Sequence, residues 1–125
     1  MCFVTISEKY KLRLKAENCG DDLCITLIGG DRPHIGAVSM AVPRVSLTGS
    51  GASCDCWTTT APGHKDYSIA QVIANKLCIY TQKTVSVLVG IHIDQATSQQ
   101  LREIWEQCLC LAEKFCVAWD KENKI

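Results

Sequence analysis

The pattern of apolar and polar residues along the chain predicts a series of strands. Apolar side chains alternate with charged ones over residues 10–17, which is typical of a half-exposed strand. A more continuous apolar run at 23–28 predicts a strand buried on both faces, paired with the first in an antiparallel hairpin. Further strand patterns occupy residues 37–42, 44–48, 56–60 and 84–93, with Pro43 interrupting the first two.

Two helices complete the pattern. Residues 67–80 carry apolar side chains at helical spacing, and Asp66 or Ser68 can cap them. Thr97, followed three residues later by Gln100, forms a capping box that begins the second helix. The polar residues from Asp120 onward predict a frayed tail. The order of elements predicts a single domain over residues 1–125 with an α+β fold, in which two helices pack on one face of a mainly antiparallel sheet.

The composition narrows the classes of function. Thirteen Lys and Arg residues balance thirteen Asp and Glu residues, which gives no electrostatic ground for binding nucleic acid or an anionic membrane. No apolar run approaches the roughly 18 residues that span a bilayer, and the N-terminus lacks the pattern of a secretory signal. Nine cysteines, an odd number without an export signal, favour reduced thiols and therefore a cytoplasmic protein.

All three histidines lie in short motifs beside a glycine or at a strand end. Imidazole is the commonest metal ligand in proteins and transfers protons near neutral pH. We therefore expect the three to assemble into one site. They are His34 in GGDRPHIG at 29–36, His64 in PGHKD at 62–66, and His92 in GIHID at 90–94.

His92 and Asp94 are two residues apart, so they share a face of the strand. Gly90 on that face is expected to leave room for a ligand. The alternative interpretation is an exposed pair at a strand end, with Asp94 serving as a turn residue or cap.

The motif around His34 favours an anion. Gly29, Gly30 and Gly36 let the backbone approach a ligand, and consecutive amides can form an anion-binding nest. Arg32 can bind a phosphate through two hydrogen bonds. His34 is expected to begin a strand. The alternative is a glycine-rich loop with a solvated arginine.

The motif around His64 immediately precedes the first predicted helix. A helix N-terminus binds phosphate readily, and Lys65 adds a cation. Asp66 is open to three roles: it can cap the helix, bind a metal or orient His64. Trp57 is expected in the core. The closely spaced cysteine pairs at 54/56 and 108/110 are interpreted as structural, because zinc sites need a wider spacing.

Three segments together resemble a known family. GGDRPHIG at 29–36, HKD at 64–66 and GIHIDQAT at 90–97 are similar to the small D-subunit proteins associated with hydroxyarylic acid decarboxylases, which are described as prenylated-flavin chaperones. The resemblance spans most of the chain, and Arg32 is particular to this sequence.

The resemblance implies a non-catalytic protein that binds prenylated flavin mononucleotide (FMN) and stores it or delivers it to the large decarboxylase subunit. A ligand of this size on a small sheet also implies a homodimer. The residues expected to contact the cofactor are Gly29, Gly30, Arg32, His34, Gly36, Lys65 and Asp66. Those expected to hold a divalent metal are His34, His64, His92 and Asp94.

Two other functions remain open from the residues. One is a small metal-dependent enzyme, in which a metal activates water and Asp66 or Asp94 acts as the base. The other is a purely structural subunit that binds the decarboxylase through an exposed apolar patch.

Overall fold

A computed structural model of the protein describes residues 1–49, 51–62 and 66–123. The elements are β1 (Cys2–Ser7), β2 (Leu12–Cys19), β3 (Asp22–Gly30), β4 (Ala37–Val45), β5 (Ala52–Thr60), α1 (Tyr67–Thr81), β6 (Val85–His92) and α2 (Ser98–Glu122). His64 and Lys65 lie outside the described residues. No described helix has the length and apolar character needed to cross a membrane.

The strands form one sheet in the order β1-β2-β3-β6-β4-β5. Neighbouring strands are antiparallel at every pairing except the central one, where β3 and β6 run parallel. The predicted α+β fold with a mainly antiparallel sheet is confirmed. The predicted hairpin of β2 and β3 is also present, with Leu14 opposite Leu27.

Both helices cover the same face of the sheet. α1 packs against β4, β5 and β6, α2 packs against β1 and β2, and the helices touch each other. Leu14, Leu27 and Val87 from the sheet are fully buried with Ile73 and Phe115 from the helices. Each such side chain contributes about 1.5–3 kcal/mol when it is removed from water. This single apolar layer holds the sheet and helices together.

None of the described residues forms a layer over the opposite face of the sheet, which corrects two expectations. β3 is not buried on both faces, because Cys24 is exposed and Thr26 and Ile28 are half-buried. Trp57 is not a core residue, since 58% of its surface is exposed. We call this uncovered side of the sheet the open face.

Several element boundaries differ from the sequence prediction. β4 continues through Pro43, which is tolerated because pairing with β6 ends at Ala41 and leaves one side of the strand without a neighbour there. His34 does not begin a strand, since β4 starts at Ala37. The residues from Asp120 to Glu122 belong to α2 rather than to a frayed tail.

The helix N-termini behave differently from each other. Thr97 accepts a hydrogen bond from the Gln100 amide at 3.1 Å, and the Gln100 side chain accepts one from the Thr97 amide at 2.9 Å. The predicted capping box is therefore confirmed. Asp66 occupies the N-cap position of α1, but its side chain makes no capping hydrogen bond. That carboxylate is instead directed to another partner.

The connection from β3 to β4 must pass over the end of β6, because β6 lies between those strands. We call residues 31–36 the crossover segment. The Asp31 amide donates to the His92 carbonyl at 2.6 Å, and the Gly36 amide donates to the Val89 carbonyl at 2.9 Å. A Cβ on Gly90 would lie 1.4 Å from the His34 carbonyl oxygen. The sequence analysis expected Gly90 to leave room for a ligand. That expectation is wrong, because the backbone of the crossover segment fills the space.

Replacing Gly90 by Ala is expected to destabilise the protein by about 1–3 kcal/mol, because the added methyl group overlaps the His34 backbone. Urea unfolding monitored by circular dichroism measures the change. Ser86→Ala, on the same strand and half-buried, is the control. Equal unfolding free energies for the two variants would show that the crossover segment does not rest on Gly90.

Candidate functional site

Five polar side chains meet at one edge of the sheet. The parallel strands β3 and β6 end side by side there, with Gly30 opposite His92. The crossover segment and the start of α1 reach the same edge. Carboxyl ends of parallel strands are a common location for ligand sites. We call this group the crossover cluster; its members are Arg32, His34, Asp66, His92 and Asp94.

His34 and Asp66 form the buried half of the crossover cluster. His34 Nε2 lies 3.3 Å from Asp66 Oδ2, and the two side chains are 21% and 9% exposed. His34 Nδ1 lies 3.2 Å from the Arg32 carbonyl oxygen. A Cβ on Gly36 would lie 2.0 Å from Asp66 Oδ2, so only glycine permits this contact. The arrangement fixes the His34 ring through both of its nitrogens.

His92, Asp94 and Arg32 form the exposed half. His92 Nε2 lies 2.8 Å from Asp94 Oδ1 and 3.1 Å from Arg32 Nη2. Arg32 Nη2 is also 3.3 Å from Asp94 Oδ1. The hydrogen bond with His92, followed by the charge of Arg32, lowers the pKa of the Asp94 carboxyl. Asp94 therefore carries its negative charge at neutral pH and orients Arg32 and His92 at the surface.

The two halves lie next to each other. The His34 and His92 rings are 6.3 Å apart between centroids and 79° apart in plane, which is an edge-to-face arrangement. The expected convergence of histidines thus holds for this pair. The sequence placed His92 beside Asp94 correctly. For Asp66 it left open a helix cap, a metal ligand or a partner of His64, and it gave His34 no carboxylate. His64 and Lys65 are not described, so their predicted roles stay predictions.

Arg32 distinguishes the exposed half of the crossover cluster from an ordinary metal site. Within residues 1–49, 51–62 and 66–123, no three His, Cys, Asp or Glu side chains are grouped to hold a metal ion. Arg32 also places a fixed positive charge beside His92 and Asp94, two of the predicted ligands. A guanidinium at this distance repels a divalent cation and attracts a phosphate.

The backbone amides predicted to form an anion nest already have partners. The Gly30 amide donates to the Tyr10 carbonyl at 2.8 Å, and the Gly36 amide donates to Val89. Gly29 and Gly30 allow close packing, since a Cβ would lie 2.5 Å from the Lys11 oxygen at Gly29 and 2.3 Å from the His92 oxygen at Gly30. Contacts of these glycines with phosphate remain predictions, and side chains are the better candidates.

A cleft of about 300 Å³ adjoins the exposed half of the crossover cluster. Sequence reasoning missed its lysines, although two cations in one turn were a visible signal. Lys9 is held by Glu103 at 2.7 Å, and Tyr10 donates a hydrogen bond to the same carboxylate. The residues that line the cleft are Lys9, Tyr10, Lys11, Gly30, Asp31, Ile93, Asp94 and Gln100.

Comparison with known proteins agrees with the motifs at this edge. Residues 6–120 match the model of the prenylated flavin chaperone LpdD-like domain. The chain belongs to this family. It is also 30% identical over 101 residues to Protein LpdD of Lactiplantibacillus plantarum, covering 79% of this chain and 70% of that protein. The matched region includes every member of the crossover cluster.

A solved structure shares the fold. It is described as the crystal structure of a novel chaperone complex for yeast 20S proteasome assembly. The TM-score is 0.55, and the match covers 91% of this chain and 95% of that one at 12% sequence identity. At this identity the likeness concerns the fold alone.

The pKa of Glu103 reports on its ion pair with Lys9, which lines the cleft. Its hydrogen bonds with Lys9 and then Tyr10 lower its pKa from 4.5 to about 2. A lowered folded-state pKa stabilises the protein above the unfolded value, and this contribution is lost as the pH falls through about 2. We expect Lys9→Met to raise the Glu103 pKa, measured by carboxyl NMR titration. Lys11→Met should leave the Glu103 pKa unchanged. An equal rise in both variants would show that the contact with Lys9 is not what lowers this pKa.

Proposed function

We propose that this protein binds prenylated FMN at the crossover cluster and stores or delivers it to a decarboxylase without catalysing a reaction itself. The observation that carries the proposal is the placement of the family's histidine motifs around an exposed arginine, beside an open cleft. The cofactor supplies the decarboxylation chemistry once it is in the client enzyme. The chain's own residues bind and orient it.

Arg32 is the candidate ligand of the phosphate. Its side chain is 72% exposed, yet Asp94 and His92 hold it in place. A guanidinium can donate two parallel hydrogen bonds to a phosphate, which combines charge with orientation. Lys9 and Lys11 line the adjoining cleft and would add positive charge. Ile93 gives the same cleft an apolar contact, whereas Tyr10 in its lining is almost wholly buried.

His34 and Asp66, the buried half of the crossover cluster, are proposed to hold the exposed half in position. Their burial keeps the His34 ring in one orientation. Lys65 remains a predicted phosphate contact at the start of α1. The divalent metal also remains a prediction. It depends on His64, because the positive charge of Arg32 beside His92 and Asp94 opposes a cation there. Cytoplasmic location stays an expectation from the cysteine content.

The two other functions are less well supported. A metal-dependent enzyme needs a grouped set of ligands, and the described residues offer none with three members. A purely structural subunit would not need the buried His34–Asp66 pair or the network around Arg32.

Cofactor uptake tests the proposal directly. The purified protein is mixed anaerobically with prenylated FMN made by a flavin prenyltransferase, and binding is followed by flavin absorption after gel filtration. We expect Arg32→Met to weaken binding at least tenfold, because a charge-assisted grip on the phosphate is lost. Arg44→Met is the matched control, since Arg44 is bound to Asp55 at 2.8 Å near the opposite end of β4. A parent protein that takes up no prenylated FMN, or equal losses in both variants, contradicts the proposal.

Delivery is tested with the apo-decarboxylase. The parent protein loaded with cofactor should activate the apo-enzyme faster than Asp66→Asn prepared in the same way, because that change removes the charged partner of His34. Circular dichroism establishes that the variant is folded. Equal activation by the parent and by a variant that binds no cofactor would favour a purely structural subunit.

A further inference from the structure

Two cysteines from different elements meet between the sheet and the first helix. Cys54 lies on β5, is half-buried and packs against the core, whereas Cys78 lies on α1 and is fully buried. The Cys54 thiol donates a hydrogen bond to Asn75 Oδ1 at 3.3 Å. Asn75 and Cys78 are three residues apart on α1, so they share one face of that helix. The face of α1 that meets Cys54 is thus the face that carries Cys78.

The two thiols are in direct contact. The Cys78 thiol donates a hydrogen bond to Cys54 Sγ. A chain of hydrogen bonds therefore runs from Cys78 through Cys54 to Asn75. We call Cys54 and Cys78 the thiol pair. A disulfide has an S–S distance of about 2.05 Å, so its formation needs only a closer approach along a contact that already exists.

We propose that the thiol pair is a redox-reactive site that accepts a low-molecular-weight disulfide as its oxidant and closes to an internal disulfide bond. This role is separate from the proposed binding of the cofactor. The spacing of Cys54 and Cys56 in the sequence gave no sign of it, because the partner of Cys54 lies on another element.

The exposure of the two thiols sets the order of the reaction. A small disulfide reaches the half-buried Cys54 first, because Cys78 is 0% exposed. Burial raises the pKa of Cys78 to about 11. Burial also raises the pKa of Cys54, but the hydrogen bond received from Cys78 opposes that rise. Since the thiolate is the attacking species, Cys54 is the first nucleophile and Cys78 the second.

The reaction is an ordinary thiol–disulfide exchange in two steps. The Cys54 thiolate attacks one sulfur of the small disulfide, whose S–S bond breaks and releases a thiolate that takes up the proton lost by Cys54. Cys78 then loses its proton and attacks Cys54 Sγ. The mixed disulfide breaks, and the second small thiol leaves with that proton. Two protein thiols are oxidised, and one small disulfide is reduced to two thiols.

The new bond would tie the edge of the sheet to the helix that covers it. β5 is an edge strand that pairs with β4 alone, so it can shift toward α1 more easily than a central strand can. The bond closes a loop of residues 54–78, which contains Asp66 of the crossover cluster. Closing such a loop restricts the unfolded chain and stabilises the folded one.

Disulfide mapping on the full chain tests the proposal. The reduced protein, without cofactor, is incubated anaerobically with oxidised glutathione, alkylated with iodoacetamide and analysed by peptide mass spectrometry. We expect a peptide that joins Cys54 to Cys78. A bond from Cys56 to either member of the thiol pair overturns the proposal, as do glutathione adducts without an internal disulfide. Because no flavin is present, the result is independent of the proposed cofactor binding.

Single substitutions separate the two steps. Cys78→Ala should stop the reaction at a glutathione adduct on Cys54, and Cys54→Ala should leave the buried Cys78 unmodified. Cys110→Ala is the matched control, since Cys110 is exposed on α2, and it should still form the internal bond. Rapid modification of Cys78 in Cys54→Ala would contradict the proposed order. If either variant folds poorly, the mapping of the parent protein still decides.

Urea unfolding measures the effect of the bond on the fold. Oxidation of the parent protein should lower the unfolding equilibrium constant at least tenfold, and dithiothreitol should reverse the change. Cys54→Ala treated in the same way should show no such change. An unaltered unfolding midpoint in the oxidised parent would show that the bond does not tie β5 to α1.

Discussion

The insertion of β6 between β3 and β4 is the constraint on which the rest of the structure depends. β3 and β4 are consecutive in the chain but not adjacent in the sheet, so the crossover segment must pass over the end of β6. The His34 backbone rests on Gly90, where a side chain would collide. This contact brings Arg32 to His92 and turns His34 toward Asp66. One steric requirement therefore assembles residues that are about 60 positions apart.

The charges at this edge are the ground on which a phosphate is proposed as its ligand. Histidines and an aspartate, viewed as a list, indicate a metal. In the folded protein Arg32 lies within hydrogen-bonding distance of His92 and close to Asp94, and its positive charge opposes a cation there. The same geometry leaves the guanidinium exposed and oriented, which suits a phosphate group. The anion role that we propose therefore rests on the position of one cation rather than on the number of ligands.

The two faces of the sheet are covered differently within the described part of the chain. Both helices pack on one face and bury its apolar residues, while the other face has no covering element among the described residues. Its apolar character also explains why the sequence pattern missed β1. Phe3 of that strand packs toward the core, while Val4 on the other face is apolar too. β1 does alternate over Val4, Thr5, Ile6 and Ser7, but its apolar residues lie on the open face, so the alternation did not mark a core-facing side.

Local interactions were readable from the sequence by itself. The alternation in β2 and in β6, where Val85, Val87 and Val89 line the core, depends on neighbours two residues apart. The capping box depends on Thr97 and Gln100, three residues apart. Only the tertiary structure decided the order of strands, the contact of His34 with Gly90 and the pairing of His34 with Asp66. Those contacts join residues far apart in the chain. The side-chain pattern of one segment does not specify which distant segment will pack beside it.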